Sequence, residues 1–215
     1  MKLNVKFSES KEDFKAKFGE VYNLSDGGYE RGYAAGYEKG YVEAVEASKD
    51  DRLSDRLNDT LETYSSEKAL VVPGYAFYSS ESLVSFDCPN VESVGQYSFA
   101  YCARLYNVNL PKATKIGLMA FRNSEKIVKI DLGAADYLED RCIYYCKALT
   151  TLIIRTRSVC ALASSSSLNG SGIHNQKGYI YVPAALVEQY KAENNWKTYA
   201  SQIRAIEDYP EICGG

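Results

Sequence analysis

The sequence predicts an α/β fold of one kind, a solenoid whose 22-residue coils share a parallel sheet. Three observations carry this reading. Four blocks, 72–93, 94–115, 116–137 and 138–159, follow one another without a gap and put apolar groups in the same slots. Late in each block apolar and polar residues alternate, the mark of a short strand with one buried face. Beyond residue 160 the pattern breaks into a Ser/Gly-rich loop and then an apolar stretch suited to closing an open end.

The slots are specific. Position 1 is Val72, Val94, Ile116 or Leu138, and position 6 is Phe77, Phe99, Phe121 or Ile143. Positions 12, 15 and 17 read Leu83, Phe86, Cys88; Leu105, Val108, Leu110; Ile127, Ile130, Leu132; and Leu149, Leu152, Ile154. That is L-x-x-L-x-L four times, at a period within the range of leucine-rich repeats. A single unit cannot bury its apolar face, so each stacks on its neighbours around one continuous core. Strands are expected at 84–88, 106–110, 128–132 and 150–154. The preceding segments "YAFYSS", "YSFAYC", "MAFRNS" and "RCIYYC" are expected to form a helical turn on the opposite side. Five of the six cysteines fall in packing slots: Cys102 and Cys146 at position 9, Cys88 at 17, Cys142 at 5, and Cys160 opening a fifth turn. With no C-x-x-C pair and one histidine, His174, a Cys/His metal site is not expected, nor is a cofactor.

The strings "AFYSSESLVSFDCPNVESVG" and "SFAYCARLYNVNLPKATKIG" resemble the bacterial surface antigen A-like (BspA-like) leucine-rich repeats, whose units run A-F-x-x-C-x-x-L-x-x-V-x-L-P-x-x-x-x-I-G. The match covers about 65 to 160. The fourth block departs from it, with Glu139 for the usual Gly and "IIRTRS" for the L-P segment, as a terminal repeat would. The resemblance implies a leucine-rich-repeat solenoid over 63–162 and, by analogy, a role in adhesion.

A solenoid needs caps at its raw ends. At the carboxyl side, 163–215 reads as a cap. A loop, "SSSSLNGSGIHNQKG", precedes a last strand, "YIYVP". "AALVEQYKAENN" and "WKTYASQIRAI" then have apolar residues at helical spacing, and Trp196 is the expected core anchor. At the amino side, 1–26 contains two short strand-like runs, "LNVKF" and "FKAKFGEV", read as a hairpin attachment segment. Residues 27–62 contain "GGYERGYAAGYEKGYVEA", with Tyr29, Tyr33, Tyr37 and Tyr41 each preceded by a glycine. Four-residue spacing places the tyrosines, and Gly32, Gly36 and Gly40, on adjoining stripes of one helix. Glycines inside a helix cost about 1 kcal/mol each relative to Ala, so this helix requires something packed against it. Docking on the chain's own first repeat and association between chains both meet that need.

Function is bounded by exclusion first. A net charge of −3 and a pI near 5.4 give no basic stripe for nucleic acid. No run reaches the apolar length of a membrane span, and the amino terminus has no apolar core of a secretory signal, so no membrane insertion and no signal peptide are expected. No G-x-S-x-G, H-E-x-x-H or P-loop string occurs, so the chain reads as no enzyme. What remains is surface. Outward strand positions 14 and 16 supply Ser85, Asp87, Asn107, Asn109, Lys129, Asp131, Thr151 and Ile153 as the expected ligand-binding row on the concave face. Tyr78, Tyr101, Tyr144 and Tyr145 line the position 7 to 8 turns, and tyrosine suits recognition of sugars or proteins.

The order of hairpin, Gly/Tyr ladder and repeats resembles phage and prophage structural proteins of gut bacteria. That resemblance implies a virion appendage, assembled in the bacterial cytoplasm and joined to other virion structural proteins. Its amino terminus would make it a homo-oligomer, the trimer favoured, and its repeats would meet a host cell-surface glycan or protein. A bacterial adhesin or interaction module of the same repeat family is the alternative.

Overall fold

The computed structural model of the chain describes residues 61–213. The expected hairpin of 1–26 and the Gly/Tyr ladder of Tyr29, Gly32, Tyr33, Gly36, Tyr37, Gly40 and Tyr41 lie outside the described residues. In chain order the strands are β1 (Thr63–Ser65), β2 (Val71–Val72), β3 (Ser85–Asp87), β4 (Ser93–Val94), β5 (Asn107–Asn109) and β6 (Lys115–Ile116). There follow β7 (Lys129–Leu132), β8 (Tyr137–Leu138), β9 (Thr151–Ile154), β10 (Ala161–Leu162), β11 (Tyr179–Val182) and β12 (Ile203–Ala205). They form two parallel sheets, one ordered β1-β3-β5-β7-β9-β11-β12 and the other β10-β8-β6-β4-β2.

The register is set by the repeat. Thr63 faces Ser85, Ser85 faces Asn107, Asn107 faces Lys129 and Lys129 faces Thr151, each one block apart. In the second sheet Val72, Val94, Ile116 and Leu138 align in the same way. The expected strands are therefore present, and the buried position 1 residues mark a second ladder that the sequence reading lacked. This is the leucine-rich-repeat solenoid, with parallel sheets on two sides of a shared core.

The expected helical turn before each long strand does not form. Positions 4 and 8 of every block are left-handed, with φ between 51° and 62° at Tyr75, Ser79, Tyr97, Tyr101, Met119, Asn123, Arg141 and Tyr145. This conformation costs about 1–2 kcal/mol per non-glycine residue. It turns the backbone N–H groups toward the adjoining coil instead of along a helix. Tyr75, Phe77 and Ser79 donate to the carbonyls of Gln96, Ser98 and Ala100 at 2.9, 2.7 and 2.8 Å. The same three bonds recur from Tyr97, Phe99 and Tyr101 to the coil beyond. The strain is held because each left-handed pair flanks a buried position 6 side chain, Phe77, Phe99, Phe121 or Ile143, fixed in the core.

Position 9 ties the coils together again. Cys102 Sγ donates to the Phe77 carbonyl at 2.9 Å, Ser124 Oγ to Phe99, and Cys146 Sγ to Phe121 at 3.0 Å. A small side chain with one donor is what the slot requires, which explains why Ser and Cys interchange there. Inside, Phe77, Phe99 and Phe121 stack one per coil at centroid separations of 5.3 and 5.2 Å with planes within 2° of parallel. Phe86 meets Phe99 edge-on at 4.8 Å. All of these rings are buried.

At the carboxyl end the period lengthens. Tyr137 aligns with Ala161 and Thr151 with Tyr179, so the last coil is longer than its predecessors. The cap then extends the large sheet. "WKTYASQIRAI" is not one helix: Lys197–Gln202 is a 3-10 segment and β12 pairs parallel with β11. Helix α1 (Val187–Ala192) carries Tyr190 inward. Three aromatic side chains satisfy the open coil: Cys160 N donates to Tyr190 Oη at 2.8 Å, Trp196 Nε1 donates to Cys160 O at 2.7 Å, and Tyr199 Oη donates to Ser165 O at 2.6 Å. Trp196 is fully buried, as its anchor role requires.

Candidate recognition surfaces

Strand periodicity puts alternate side chains on opposite faces, and the register assembles the predicted row. Ser85, Asn107, Lys129 and Thr151 form one line across β3, β5, β7 and β9. Asp87, Asn109, Asp131 and Ile153 form the line beside it, which Tyr181 and Arg204 continue through β11 and β12. All eight residues thus share one face of the large sheet.

The two halves of that face differ. Over β1 to β5 it is open and polar: Thr63, Ser65, Asp87 and Asn107 are exposed. Asn109 Nδ2 donates to Asp87 Oδ1 at 2.7 Å, and at the rim Tyr106 is 57% exposed. Glu62 and Arg104 lie 3.7 Å apart as a loose surface pair. Over β9 and β11 the face is covered by the chain itself. Ile153 is fully buried, against the expectation that it belongs to the ligand row; it packs with Tyr181 beneath Ile206, Tyr209 and Ile212. Helix α2 (Pro210–Cys213) and the segment before it form this cover. Tyr209 meets Tyr181 edge-on at 5.3 Å, and Lys129 Nζ donates to Ile212 O at 2.9 Å. Asp131 is held by Arg155 through two bonds of 3.1 and 2.9 Å. An isoleucine in an outward slot, followed across the sheet by a tyrosine, was the signal for this cover.

The second surface is the turn flank at positions 4, 7 and 8. Tyr75 and Tyr97 stack at 5.1 Å, Tyr78 and Tyr101 meet at 5.7 Å, and Tyr144 and Tyr145 lie at 4.6 Å. Burial raises the Tyr78 and Tyr97 phenols, and neighbouring phenols add to it while the Arg122 charge opposes it. Arg122 sits between the two halves of the flank, 5.7 Å from the Tyr101 ring centre and 5.8 Å from that of Tyr144.

No group of three His, Cys, Asp or Glu residues among those described is placed to hold a metal ion, and no helix among them is long and apolar enough to cross a membrane. His174 is exposed in its loop, 6.4 Å from the Tyr199 ring. The thiols of Cys142, Cys146 and Cys160 are buried and shifted upward, Cys160 to about 12, so they are protonated at neutral pH. Deprotonated thiolate is the reactive and metal-binding form, so these cysteines serve packing.

Stacked parallel coils with a buried L-x-x-L-x-L ladder define a leucine-rich-repeat scaffold. Residues 71–176 match the family model of the BspA type leucine rich repeat region, in six copies. Comparison with curated proteins finds no match. Among solved structures, the chain is similar to pneumococcal vaccine antigen PcpA, with 13% identity and a TM-score of 0.41. A leucine-rich repeat protein from Bacteroides ovatus gives 17% identity and 0.44. Each alignment covers 68% of this chain but only 40% and 42% of those proteins.

Proposed function

We propose that the protein is a non-enzymatic recognition module that uses its repeats as a rigid surface for adhesion. The observation that carries this reading is the division of the outward face. Its carboxyl half is closed by the chain's own tail, while Ser85, Asp87, Asn107 and Asn109 stay assembled and open at the other half. These side chains are neutral or singly charged and stand on paired strands, which favours hydrogen-bonded recognition of a polar partner such as a cell-surface glycan or protein. A rigid platform lowers the ordering cost of such binding.

The setting proposed for this module is a bacteriophage virion, with residues 1–62 attaching and oligomerising the chain. Support comes from the order of hairpin, Gly/Tyr ladder and repeats in the sequence. The test of recognition uses fluorescently labelled full-length protein and a panel of intact gut Firmicutes cells. Saturable adsorption that falls at least tenfold in the Asn107→Arg/Asn109→Arg variant is expected; adsorption unchanged by that variant overturns the surface assignment. The virion setting is tested by cryo-electron microscopy of particles for density of this chain. Light scattering that returned a monomer would remove the oligomerising role of residues 1–62.

A further inference from the structure

Residues 206–213 cover half of the outward face without belonging to the core beneath it. Leu152, Ile154, Ile180 and Val182 lie in the main core, while Ile153 and Tyr181, which alternate with them in β9 and β11, form a separate cluster on the other side of the sheet. The segment adds no strand to that sheet, which ends at β12. Its backbone bonds close within itself, from Tyr209 N to Ile206 O at 3.0 Å and from Ile212 N to Tyr209 O at 3.1 Å. So short a piece has no helical stability of its own, and contact with the face holds it in shape. Its three contact side chains, Ile206, Tyr209 and Ile212, are only half-buried. The main core therefore stays closed whether the segment lies down or lifts.

The contacts it makes are those by which a polypeptide is recognised. Apolar residues at every third position follow the period of a 3-10 helix and bring Ile206, Tyr209 and Ile212 together against Ile153 and Tyr181. Aromatic and aliphatic anchors on a desolvated patch concentrate the binding energy of protein interfaces, and here Tyr209 meets the Tyr181 ring edge-on at 5.3 Å over the fully buried Ile153. Lys129 Nζ donates to the Ile212 backbone carbonyl and Ala184 N to the Glu207 carboxylate, both at 2.9 Å. Glu207, Asp208 and Glu211 are exposed, while the half-face beneath carries Lys129, Arg155 and Arg204, with Asp131 held by Arg155. Opposite charge of this kind speeds and orients association. The rows of the open half run on beneath the segment, from Asn107 through Lys129 to Thr151 and from Asn109 through Asp131 to Ile153. One continuous face is thus open over one half and already filled over the other.

We propose that the covered half is a binding site for a short polypeptide segment of another protein, apolar at every third residue with acids between, and that residues 206–213 are an intramolecular mimic which that segment displaces. The proposal rests on the recognition reading above and narrows it to a protein ligand for this half of the face. Displacement requires the segment to open while the sheet stays paired. Hydrogen exchange of the full-length chain reads this directly: the amides of Tyr209 and Ile212 should exchange at least a hundredfold faster than those of β9 and β11. Equal protection would make the segment a fixed part of the fold and overturn the proposal. Binding is read by fluorescence anisotropy with a labelled peptide of residues 206–212. A tethered copy competes at an effective concentration on the order of millimolar, so the wild-type chain should bind the peptide weakly and Tyr209→Ala/Ile212→Ala at least tenfold more tightly. Adding Lys129→Ala to that variant should weaken binding several-fold, and a scrambled peptide should not bind. Equal affinity of the two chains, no binding to either, binding of the scrambled peptide, or loss of the cooperative melt in Tyr209→Ala/Ile212→Ala overturns the site. If cell adsorption still depends on Asn107 and Asn109 in that event, the recognition reading stands and only this inference fails.

Discussion

Replacing Phe99 by alanine attacks the point where the coils depend most on one another. Phe99 is fully buried and touches three rings: Phe77 at 5.3 Å, Phe121 at 5.2 Å and Phe86 at 4.8 Å. A buried Phe→Ala change costs about 3–5 kcal/mol when the site cannot collapse. Aromatic pairs contribute about 0.5–1.5 kcal/mol beyond area burial, and three are lost here, which places Phe99→Ala near the top of that range. The cavity is unable to close because its walls are fixed by coil-to-coil hydrogen bonds on both sides, Phe77 N to Ser98 O and Phe99 N to Ala120 O. Phe121 has one phenylalanine partner and Ile143 in the slot beyond, so Phe121→Ala should cost about 1–3 kcal/mol less, the worth of the two aromatic pairs it lacks. Urea unfolding followed by circular dichroism measures both. A domain of this kind has a total stability of about 5–15 kcal/mol, so Phe99→Ala should retain a folded baseline or lose it outright. A loss below about 1.5 kcal/mol, the bottom of the range for burying such a side chain, would refute the stacked-ring core.

Other outcomes follow from the cap and the buried acids. Cys160, Tyr190 and Tyr199 are each pushed up to about 12, by burial first, and Cys142 and Cys146 also move upward. Such groups stay protonated when folded and ionise when unfolded. The stability they contribute is therefore whole below about pH 9 and is lost progressively between about 9 and 12. Thermal melts across that range should show the fall, and a thiol reagent at pH 8 should modify the Cys213→Ser variant only at its unfolding rate. A rapid reaction of Cys102 or Cys146 would contradict their place between coils. Truncation after Ala205 should uncover Ile153 and Tyr181, seen as new binding of an apolar dye and as concentration-dependent self-association. Unchanged dye binding would mean that the tail does not cover them.

The parallel sheet was legible because burial acts through a strict period. Leu105, Val108 and Leu110 reappear one coil later as Ile127, Ile130 and Leu132, buried to the same depth. The left-handed turns were hidden because Tyr, Ser, Met, Arg and Asn occupy them instead of glycine; the neighbouring coil, not local preference, imposes that backbone. β12 was misread because Ile203 and Ile206 stand at helical spacing, while the decisive partner, β11, is distant in sequence. The outward rows could be placed by position counting alone, yet which half stayed open depended on where the last eight described residues came to rest. Ile153 was the visible clue, an apolar residue in a polar row.

The whole solenoid depends on one register, with each outward residue beside the one 22 positions later. Neighbouring strands lie about 4.8 Å apart, within disulfide reach, whereas strands two apart lie beyond the roughly 7 Å limit between Cα atoms. The direct measurement is oxidation of two double-cysteine variants followed by peptide mass spectrometry. Ser85→Cys/Asn107→Cys should form its bond nearly completely, while Ser85→Cys/Lys129→Cys should form almost none within the monomer. Equal yields, or a bond favoured by the second pair, would contradict the stacked coils.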